Sequence, residues 1–330
     1  MTNSDSTFQA AAIIKNIGRG KKGARDMSRD EARNLYSHML DGKVPDLELG
    51  AILLAMRIKG ESVQEIAGFM DAAEASFEQI PEWKSEYAPI VVPSYNGSRK
   101  MANLTPLLAL LLAREGVPVL VHGVLTDPGR ITTAEILSVM GLQPVHGAAA
   151  VHAAFGAGQP AFVPIEALAP KMAHLLSLRR ILGVRSSTHT LVKILQPFDG
   201  PALRLVSYTH PEYLEMLGEY FVSAAPIDRG DAFLMRGTEG ETVANASRAN
   251  QIDWFHQGER TLLVQRDAPT DEIAQLPEAR DAATTALWIE RALSGEVPVP
   301  PSIAEQVAQC LLVSKSLQAR TGDHHGKLQR

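Results

Sequence analysis

The sequence predicts an α/β protein with a small all-α N-terminal domain and a large α/β domain on a mainly parallel sheet. Three observations carry this prediction. The first 80 residues hold amphipathic helical patterns, whereas from residue 87 short apolar strands alternate with polar loops and helices. Strand–loop–helix repeats are typical of parallel sheets. The length of 330 residues exceeds what one small core needs, so we expect domains at residues 1–80 and 81–330.

The regular structure of the N-terminal domain is predicted to begin at a capping box. Ser28 stands three residues before Glu31, so its hydroxyl can accept from the Glu31 amide while the Glu31 carboxylate reaches back. Apolar residues then recur at helical spacing up to residue 40. Two further helices are predicted at residues 47–59 and 61–75, and the first ten or so residues are predicted to be disordered.

The large domain is predicted from apolar runs bounded by glycine, proline and polar loops. The predicted strands are residues 89–93, 119–122, 161–164, 203–207 and 232–235. The predicted helices are residues 106–115, a helix capped by Thr132 or Thr133, and residues 168–195, 212–223, 284–293 and 302–314. The polar tail from residue 321 is expected to fray.

Composition excludes several classes of protein. Apolar residues make up 45% and charged residues 21% of the chain, as in soluble globular proteins. No apolar run reaches the roughly 18 residues needed to span a bilayer, and residues 1–9 lack the pattern of a secretory signal. The single cysteine, Cys310, rules out an internal disulfide and fits a reducing compartment. We therefore expect a cytoplasmic protein without membrane contact.

Two polar loops follow neighbouring strands, which is where ligands bind in open parallel sheets. Residues 94–100 hold a glycine, two serines and two cations in front of a helix, and residues 122–130 follow the next strand. Backbone amides, the helix dipole and the charges of Arg99 and Lys100 together suit an anion. Ordinary polar turns explain the same residues, so from spacing alone both interpretations stay open.

Two N-terminal segments resemble a known family. Residues 40–46 (LDGKVPD) and 54–62 (LAMRIKGES) are similar to the helical domain of anthranilate phosphoribosyltransferases. The resemblance covers most of the chain and implies that family's small α domain and large α/β domain. It also implies that helices from about residues 168–195 join the small domain, and that a homodimer forms through the small domains.

The catalytic motifs depart from that family. Where the enzymes carry G-T-G-G-D for the pyrophosphate of phosphoribosyl pyrophosphate, residues 93–97 read P-S-Y-N-G, and H-G-V-L-T from His122 replaces H-G-N-R-S. The Asp-Glu pair that holds magnesium in the enzymes falls near residues 236–241, which read R-G-T-E-G-E. Pyrophosphate chemistry needs metal and oriented donors, so the resemblance implies that most activity is lost.

A branch of the same superfamily matches these departures. Residues 182–185 keep the family's L-G-[IV]-R segment, in which Arg185 matches the anthranilate-binding arginine. The segments S-Y-N-G-x-R-K, V-H-G and G-V-R-S-x-x-H-T-L look like those of the YbiB-type DNA-binding proteins. That resemblance implies a homodimer that binds nucleic acid with little sequence preference.

The distribution of charge supports this branch, although the chain has a net charge of −5. No Asp or Glu lies between Glu166 and Asp199, and residues 15–25 are also free of acids. Glycines in the second stretch are expected to keep it flexible enough to follow a phosphate backbone. Solvated helix faces are the usual explanation of charge runs, but a long acid-free stretch favours phosphate contacts. The predicted nucleic-acid-binding residues are Arg19, Lys21, Lys22, Arg25, Lys171, Arg179, Arg180, Arg185 and Lys193.

A vestigial phosphate site is predicted in the loop after the first strand, with Arg99 and Lys100 near the far wall of a groove formed by the basic segments. Its residues are Ser94, Asn96, Gly97, Ser98, Arg99, Lys100, Asn103 and Thr105. Aromatic residues make up only 5% of the chain, so phosphate contacts should dominate over base stacking.

The alternative is an enzyme, a magnesium-dependent phosphoribosyltransferase or nucleoside phosphorylase with altered specificity. Arg99, Lys100, Asn103 and Thr105 would then hold phosphate, and Glu239 and Glu241 would hold magnesium. A third possibility places a vestigial phosphate site inside a nucleic-acid groove. No residues have metal-ligand spacing, and His122 and His210 are more simply hydrogen-bonded structural residues. The nucleic-acid interpretation therefore includes no cofactor, no metal and no catalytic residue.

Overall fold

The computed structural model describes residues 8–20, 22–247, 251–265 and 275–327, with side chains up to residue 320. The chain forms two compact units. The helical unit consists of the residues up to Glu78 together with Ala169–Leu195, and the sheet unit consists of Gln79–Leu168 and the residues from Gln196 onward. In the part of the chain that is described, no helix is long and apolar enough to cross a membrane.

The helices and strands are numbered in chain order. The helices are α1 (Ala10–Ile17), α2 (Arg29–Leu40), α3 (Asp46–Lys59), α4 (Val63–Glu74), α5 (Thr105–Arg114), α6 (Thr133–Val139), α7 (Gly147–Gly156), α8 (Ile165–Leu168), α9 (Pro170–Ser177), α10 (Arg179–Leu182), α11 (Thr188–Leu191), α12 (Pro211–Ser223), α13 (Ala282–Ser294) and α14 (Pro301–Lys327). The strands are β1 (Ile90–Ser94), β2 (Val119–Gly123), β3 (Ala161–Pro164), β4 (Leu203–Ser207), β5 (Ala232–Met235), β6 (Ile252–His256) and β7 (Glu259–Val264).

Side-chain caps fix where two helices of the helical unit begin. Ser28 and Glu31 form the predicted capping box at α2, and Ser62 and Glu65 form a second one at α4. Helices α2 and α4 pack closely because Gly68 has no side chain. A Cβ atom there would lie 2.1 Å from a backbone oxygen of α2, so no other residue fits this contact.

Lys59, which belongs to the segment that resembles the phosphoribosyltransferases, forms a buried ion pair with Glu65. Lys59 Nζ lies 2.6 Å from a Glu65 carboxylate oxygen, and the two side chains are 5% and 0% exposed. Glu65 also accepts from the amides of Met27 and Ser62 at 2.9 and 2.8 Å. These bonds join the start of α2 to the junction between α3 and α4, which gives Lys59 and Ser62 a structural role.

The sheet unit is built on a sheet with the strand order β3-β2-β1-β4-β5-β6-β7. Strands β1 to β5 pair in parallel, and β6 and β7 extend one edge in antiparallel orientation. Every residue of the five parallel strands is buried, as expected where helices cover both faces. The carboxyl ends of the parallel strands therefore share one edge of the sheet.

The structure confirms the predicted fold class, but several elements differ from the sequence prediction. The expected helix over residues 168–195 is divided into α9, α10 and α11. Gly183 takes a left-handed conformation with a φ of 72° and ends α10. The sequence does not predict α1, α7 or the β6–β7 hairpin, and α14 continues to Lys327 instead of fraying from residue 321.

The stretch expected to be flexible between residues 15 and 25 begins at the end of α1 and continues in turns where it is described. Lys15 lies in α1, and the Gly18 amide donates to Ile14 at 2.8 Å to end that helix. A turn follows, in which the Ala24 amide donates to the carbonyl oxygen of Gly20 at 2.9 Å. Glycine is required there for the turn, since the φ of Gly20 is 76°.

Replacing Lys59 with Met should leave the buried Glu65 carboxylate without its ion-pair partner. Removing one member of a buried pair costs about 3–5 kcal/mol, and the two remaining amide donors reduce this. We expect the free energy of unfolding, measured by urea denaturation, to fall by about 2–4 kcal/mol. Lys43→Met is the matched control, because Lys43 forms an exposed pair with Asp41 at 3.1 Å. It should cost less than about 1 kcal/mol, and equal losses in the two variants would contradict the role of Lys59.

Candidate functional site

Three loops of the sheet unit meet at the carboxyl edge of the parallel strands. Residues 95–104 join β1 to α5, residues 124–132 join β2 to α6, and residues 236–247 follow β5. The first two loops pair through Ser98 and Ile131, whose backbone groups exchange hydrogen bonds of 2.9 Å in both directions. This is the edge at which the sequence predicts an anion site.

Two carboxylates of the third loop bind the backbone amides of the first. One oxygen of Glu241 accepts from the amides of residues 96 and 97 at 2.8 and 2.7 Å. Glu239 accepts from three consecutive amides, those of residues 99–101, at 2.8, 2.6 and 2.8 Å. Successive amides of this kind form concave sites for anions. Five such N–H groups therefore donate to the protein's own side chains, and we call Glu239 and Glu241 the carboxylate pair.

The backbone of the third loop is specialised for this contact. Glu239 has a φ of 53°, which is uncommon for a residue with a side chain, and Gly240 has a φ of 92°. The Gly240 carbonyl oxygen accepts from the Ser207 hydroxyl at 2.8 Å. A Cβ atom at Gly240 would lie 2.0 Å from the side-chain nitrogen of Asn96. Glycine between the two glutamates thus lets the third loop approach the first.

Most side chains predicted to hold phosphate are buried and bonded within the sheet unit. Ser94 and Asn103 both donate to Thr133 Oγ1, at 2.8 and 3.1 Å. The side-chain oxygen Oδ1 of Asn103 also accepts from the Thr105 amide at 3.1 Å. The exposed members are Arg99 and Lys100. The buried members are Ser94, Asn96, Gly97, Ser98, Asn103 and Thr105.

Two titratable groups at this edge have shifted pKa values. Burial raises the pKa of Glu239, but the hydrogen bonds from the amides of residues 99–101 together outweigh it and hold the pKa below its ordinary value. At the end of β2, burial lowers the pKa of His122 to about 3. Its Nδ1 atom lies 2.7 Å from the Tyr95 hydroxyl oxygen. Glu239 is therefore charged at neutral pH, and the buried, neutral His122 fits the structural role that the sequence favours.

The carboxylate pair does not fit the magnesium site that the enzyme alternative requires. Three of the four carboxylate oxygens already accept from backbone N–H groups, so a cation bound to these three would face the same amide hydrogens. The fourth, Oε2 of Glu241, is buried and makes no hydrogen bond to the described residues. Among the described residues, no three His, Cys, Asp or Glu side chains are grouped so that they could hold a metal ion.

A cavity of about 740 Å³ opens beside the first loop. Residues 98–102 and Ile131 form one wall, and residues 276–281 form another. Arg280 in the second wall donates to the carbonyl oxygen of Arg99. The amides bound by Glu239 thus border a space large enough for a small molecule.

The residues predicted to bind nucleic acid belong to the helical unit. Arg179 and Arg180 are exposed at the start of α10, whereas Arg185 and Lys193 are half-buried. Lys171 is exposed, but its amine lies 2.7 Å from a carboxylate oxygen of Asp41, so its charge is partly neutralised. Of the cations predicted to bind in the N-terminal stretch, Arg19, Lys22 and Arg25 are exposed, and Lys21 lies outside the described residues.

His189 indicates that several of these cations are grouped in space. Burial and, to a smaller degree, the positive charges of Arg185, Arg179 and Lys193 lower its pKa to about 4. The neutral ring accepts through Nδ1 from the Ser186 amide at 3.2 Å. The charges of three cations thus act on one imidazole, and we call Arg179, Arg185 and Lys193 the cation cluster.

Sequence comparison links the chain to glycosyl transferases and to an uncharacterised protein. The family model described as "Glycosyl transferase family, helical bundle domain" matches residues 11–76. The chain is 48% identical over 305 residues to the uncharacterised protein YbiB of Escherichia coli (strain K12). The aligned region covers 92% of this chain and 93% of that protein. It is 26% identical over 299 residues to the anthranilate phosphoribosyltransferase of Methanopyrus kandleri, with 87% and 84% covered.

Structural comparison gives the same fold. The anthranilate phosphoribosyltransferase of Thermus thermophilus superposes with a TM-score of 0.71 at 20% identity, covering 94% of this chain and 89% of that one. The Saccharomyces cerevisiae enzyme in complex with PRPP and Mg gives a TM-score of 0.66 at 12% identity, covering 96% and 88%. The anthranilate phosphoribosyltransferase-like fold predicted from the sequence is therefore confirmed.

Replacing Glu239 with Gln should weaken the contact between the two loops in a pH-dependent way. Hydrogen bonds to charged groups each contribute about 1.5–3 kcal/mol, and Gln keeps part of this. We expect the free energy of unfolding to fall by about 1–3 kcal/mol at pH 7. Because folding lowers the Glu239 pKa, its contribution is present above the unfolded-state pKa and is lost as the pH falls through the folded-state pKa.

Urea denaturation of both proteins between pH 7 and pH 3 tests this expectation. The stability difference should shrink below about pH 4.3, the ordinary glutamate pKa. Glu290→Gln, which changes an exposed residue of α13, is the control and should leave stability nearly unchanged throughout. A Glu239→Gln difference that stays constant down to the lowest pH would contradict a charged carboxylate.

Proposed function

The chain belongs to the family of the Escherichia coli protein YbiB, and from this premise we propose that it binds nucleic acid with little sequence preference on a catalytically altered phosphoribosyltransferase scaffold. The observation that carries the proposal is the exposed pair Arg179 and Arg180 at the start of α10, of which Arg179 belongs to the cation cluster. The pair lies in a stretch of more than thirty residues, from 167 to 198, that contains no acidic side chain.

The carboxylate pair supports the loss of transferase activity. Phosphoryl and pyrophosphoryl groups are stabilised by amide donors and metal ions that face the developing charge. In this protein Glu239 and Glu241 place negative charge on those amides. A bound pyrophosphate would meet two carboxylates where it needs hydrogen-bond donors, so phosphoribosyl transfer is disfavoured.

The composition supports binding through phosphates rather than bases. Aromatic residues, which would stack on bases, are scarce, at 5% of the chain. The cation cluster of Arg179, Arg185 and Lys193 offers charges that suit phosphates. Lys and Arg contacts to phosphate release counterions, which makes affinity fall steeply with salt and carries no sequence information. The proposed ligand is therefore DNA or RNA of arbitrary sequence, bound in the cytoplasm, where the buried and unbridged Cys310 finds reducing conditions.

A phosphoribosyltransferase or nucleoside phosphorylase is the second candidate function. The enzymes named among the relatives and structural neighbours favour it, as does the cavity beside residues 98–102. Arg99 and Lys100 are exposed and could reach a phosphate there. The carboxylate pair and the burial of Asn103 and Thr105 argue against it, so we rank it below nucleic-acid binding.

We also propose that the protein forms a homodimer through the helical unit, as its resemblance to the phosphoribosyltransferases implies. Helix α3 presents Leu47, Leu54 and Ile58 to solvent, at 88%, 48% and 54% exposure. Ile181 of α10 is 81% exposed, and α10 lies beside α3 at Gly50, where a Cβ atom would be 3.8 Å from Leu182. Contiguous exposed apolar side chains of this kind are typical of protein interfaces.

The combined substitution of Arg179, Arg180 and Lys193 with Ala should weaken nucleic-acid binding without unfolding the protein. The three residues contribute phosphate contacts under the proposal. The slope of log affinity against log salt for duplex DNA should become shallower by about 2.7, which is 0.9 for each lost contact. Fluorescence anisotropy with two unrelated duplexes over a range of salt concentrations measures both affinity and slope.

The matched control replaces Lys84, Arg114 and Lys315, three exposed cations of the sheet unit, and changes net charge equally. It should retain most of the affinity. Equal losses in the two triple variants would show a nonspecific effect of net charge. An unchanged affinity in the Arg179, Arg180 and Lys193 variant would reject the site.

The double substitution Leu54→Glu and Ile58→Glu should abolish the proposed dimer, because it buries two charges in an apolar interface. Size-exclusion chromatography with light scattering should give twice the chain mass of 35.7 kDa for the unmodified protein and a single chain mass for the variant. Leu287→Glu with Leu312→Glu, at 60% and 64% exposure in the sheet unit, is the control and should stay dimeric. A monomeric unmodified protein would refute the proposal.

A further inference from the structure

We propose that Glu239 is an internal competitor that keeps a small phosphate-bearing ligand out of an intact anion site. The site consists of the backbone amides of residues 99–101 and the exposed side chains of Arg99 and Lys100. The inference concerns the sheet unit and does not depend on nucleic-acid binding by the helical unit.

The amide donors already have the arrangement that an oxyanion requires. Three consecutive N–H groups converge on one carboxylate, with one oxygen of Glu239 accepting from residue 99 and the other accepting from residues 100 and 101. A phosphoryl group offers oxygens that can occupy the same two positions. The geometry is therefore that of a filled anion site, and its present occupant is part of the chain.

Glu239 is better suited to leave its amides than Glu241. Glu241 is 1% exposed and binds the buried amides of residues 96 and 97, so its removal would leave N–H groups without water or partner. Glu239 is half-buried and holds a positive φ of 53° between Thr238 and Gly240. A non-glycine residue in this region is strained, so the contact that Glu239 makes carries a conformational cost that the contact of Glu241 does not.

The space next to Glu239 can receive a ligand. Residues 98–102, which carry the three amides, also line the cavity of about 740 Å³. Arg99 and Lys100 supply positive charge at the same wall, and Arg280 lies against the Arg99 carbonyl oxygen. A phosphate monoester or pyrophosphate could place its charged end on the amides and the remainder in the cavity.

Removal of the Glu239 carboxylate should open the site to inorganic pyrophosphate. We expect Glu239→Ala to bind pyrophosphate at least about ten-fold more tightly than the unmodified protein in isothermal titration calorimetry without metal, a change of about 1.4 kcal/mol in binding free energy. Glu239→Gln keeps the size of the side chain but not its charge, and should show a smaller increase. Circular dichroism checks that each variant is folded.

Glu290→Ala, which removes an equal charge from an exposed position of α13, should bind pyrophosphate as weakly as the unmodified protein. Equal affinity of the Glu239 variants and this control would overturn the proposal, and so would tight binding by the unmodified protein. If Glu239→Ala instead gained affinity for a short oligonucleotide and none for pyrophosphate, the assignment to a small phosphate ligand would be wrong. Loss of DNA binding in the variants of the helical unit tests the other proposal separately.

Discussion

The contact between two glutamates and five backbone amides is the interaction on which the candidate site depends. The loop after β1 carries N–H groups that no strand or helix satisfies, and those of Asn96 and Gly97 belong to buried residues. A buried amide without a partner is costly. In a phosphate-binding protein a ligand can meet this need. Here Glu241 and Glu239 meet it from within the chain, so the loop is complete without a ligand.

Several other features follow from that contact. Gly237 is required because a Cβ atom there would lie 1.7 Å from the Glu241 carbonyl oxygen, and Gly240 is required by its approach to Asn96. The side chains of Ser94 and Asn103 are turned to Thr133 and hold the first loop against the second. The phosphoribosyltransferase-like fold is thus kept at the sheet edge, while the exposed cations Arg179 and Arg180 lie in the helical unit.

The sequence predicted the fold class and the parallel strands well, because each strand is a short apolar run between turn residues. Strands β4 and β5 have the predicted bounds. The hairpin was missed because β6 carries polar side chains at Asp253 and His256, and β7 is largely exposed at the sheet edge. Neither strand has the apolar pattern that reveals buried strands.

The sequence located the loop after β1 whose amides suit an anion, but it did not show that the carboxylates of Glu239 and Glu241 bind those amides. Glu239 and Glu241 lie about 140 residues after the amides they bind, and no local pattern indicates such a pairing. The family resemblance placed Glu239 and Glu241 where the enzymes hold magnesium, and only the enzyme alternative kept that role for them. The structure shows that carboxylate oxygens of both residues accept hydrogen bonds from backbone N–H groups, which argues against a role as magnesium ligands. Nucleic-acid binding by the basic residues stays a prediction. The charges of three of these residues all lower the pKa of His189.

Hydrogen–deuterium exchange of the peptide that covers residues 94–103 tests the central claim most directly. If the carboxylate pair binds these amides, residues 96, 97 and 99–101 should exchange slowly in the protein without any ligand. Adding phosphoribosyl pyrophosphate with magnesium should leave their exchange unchanged. Rapid exchange that becomes slow only when both compounds are present would contradict the account and would identify an open substrate site.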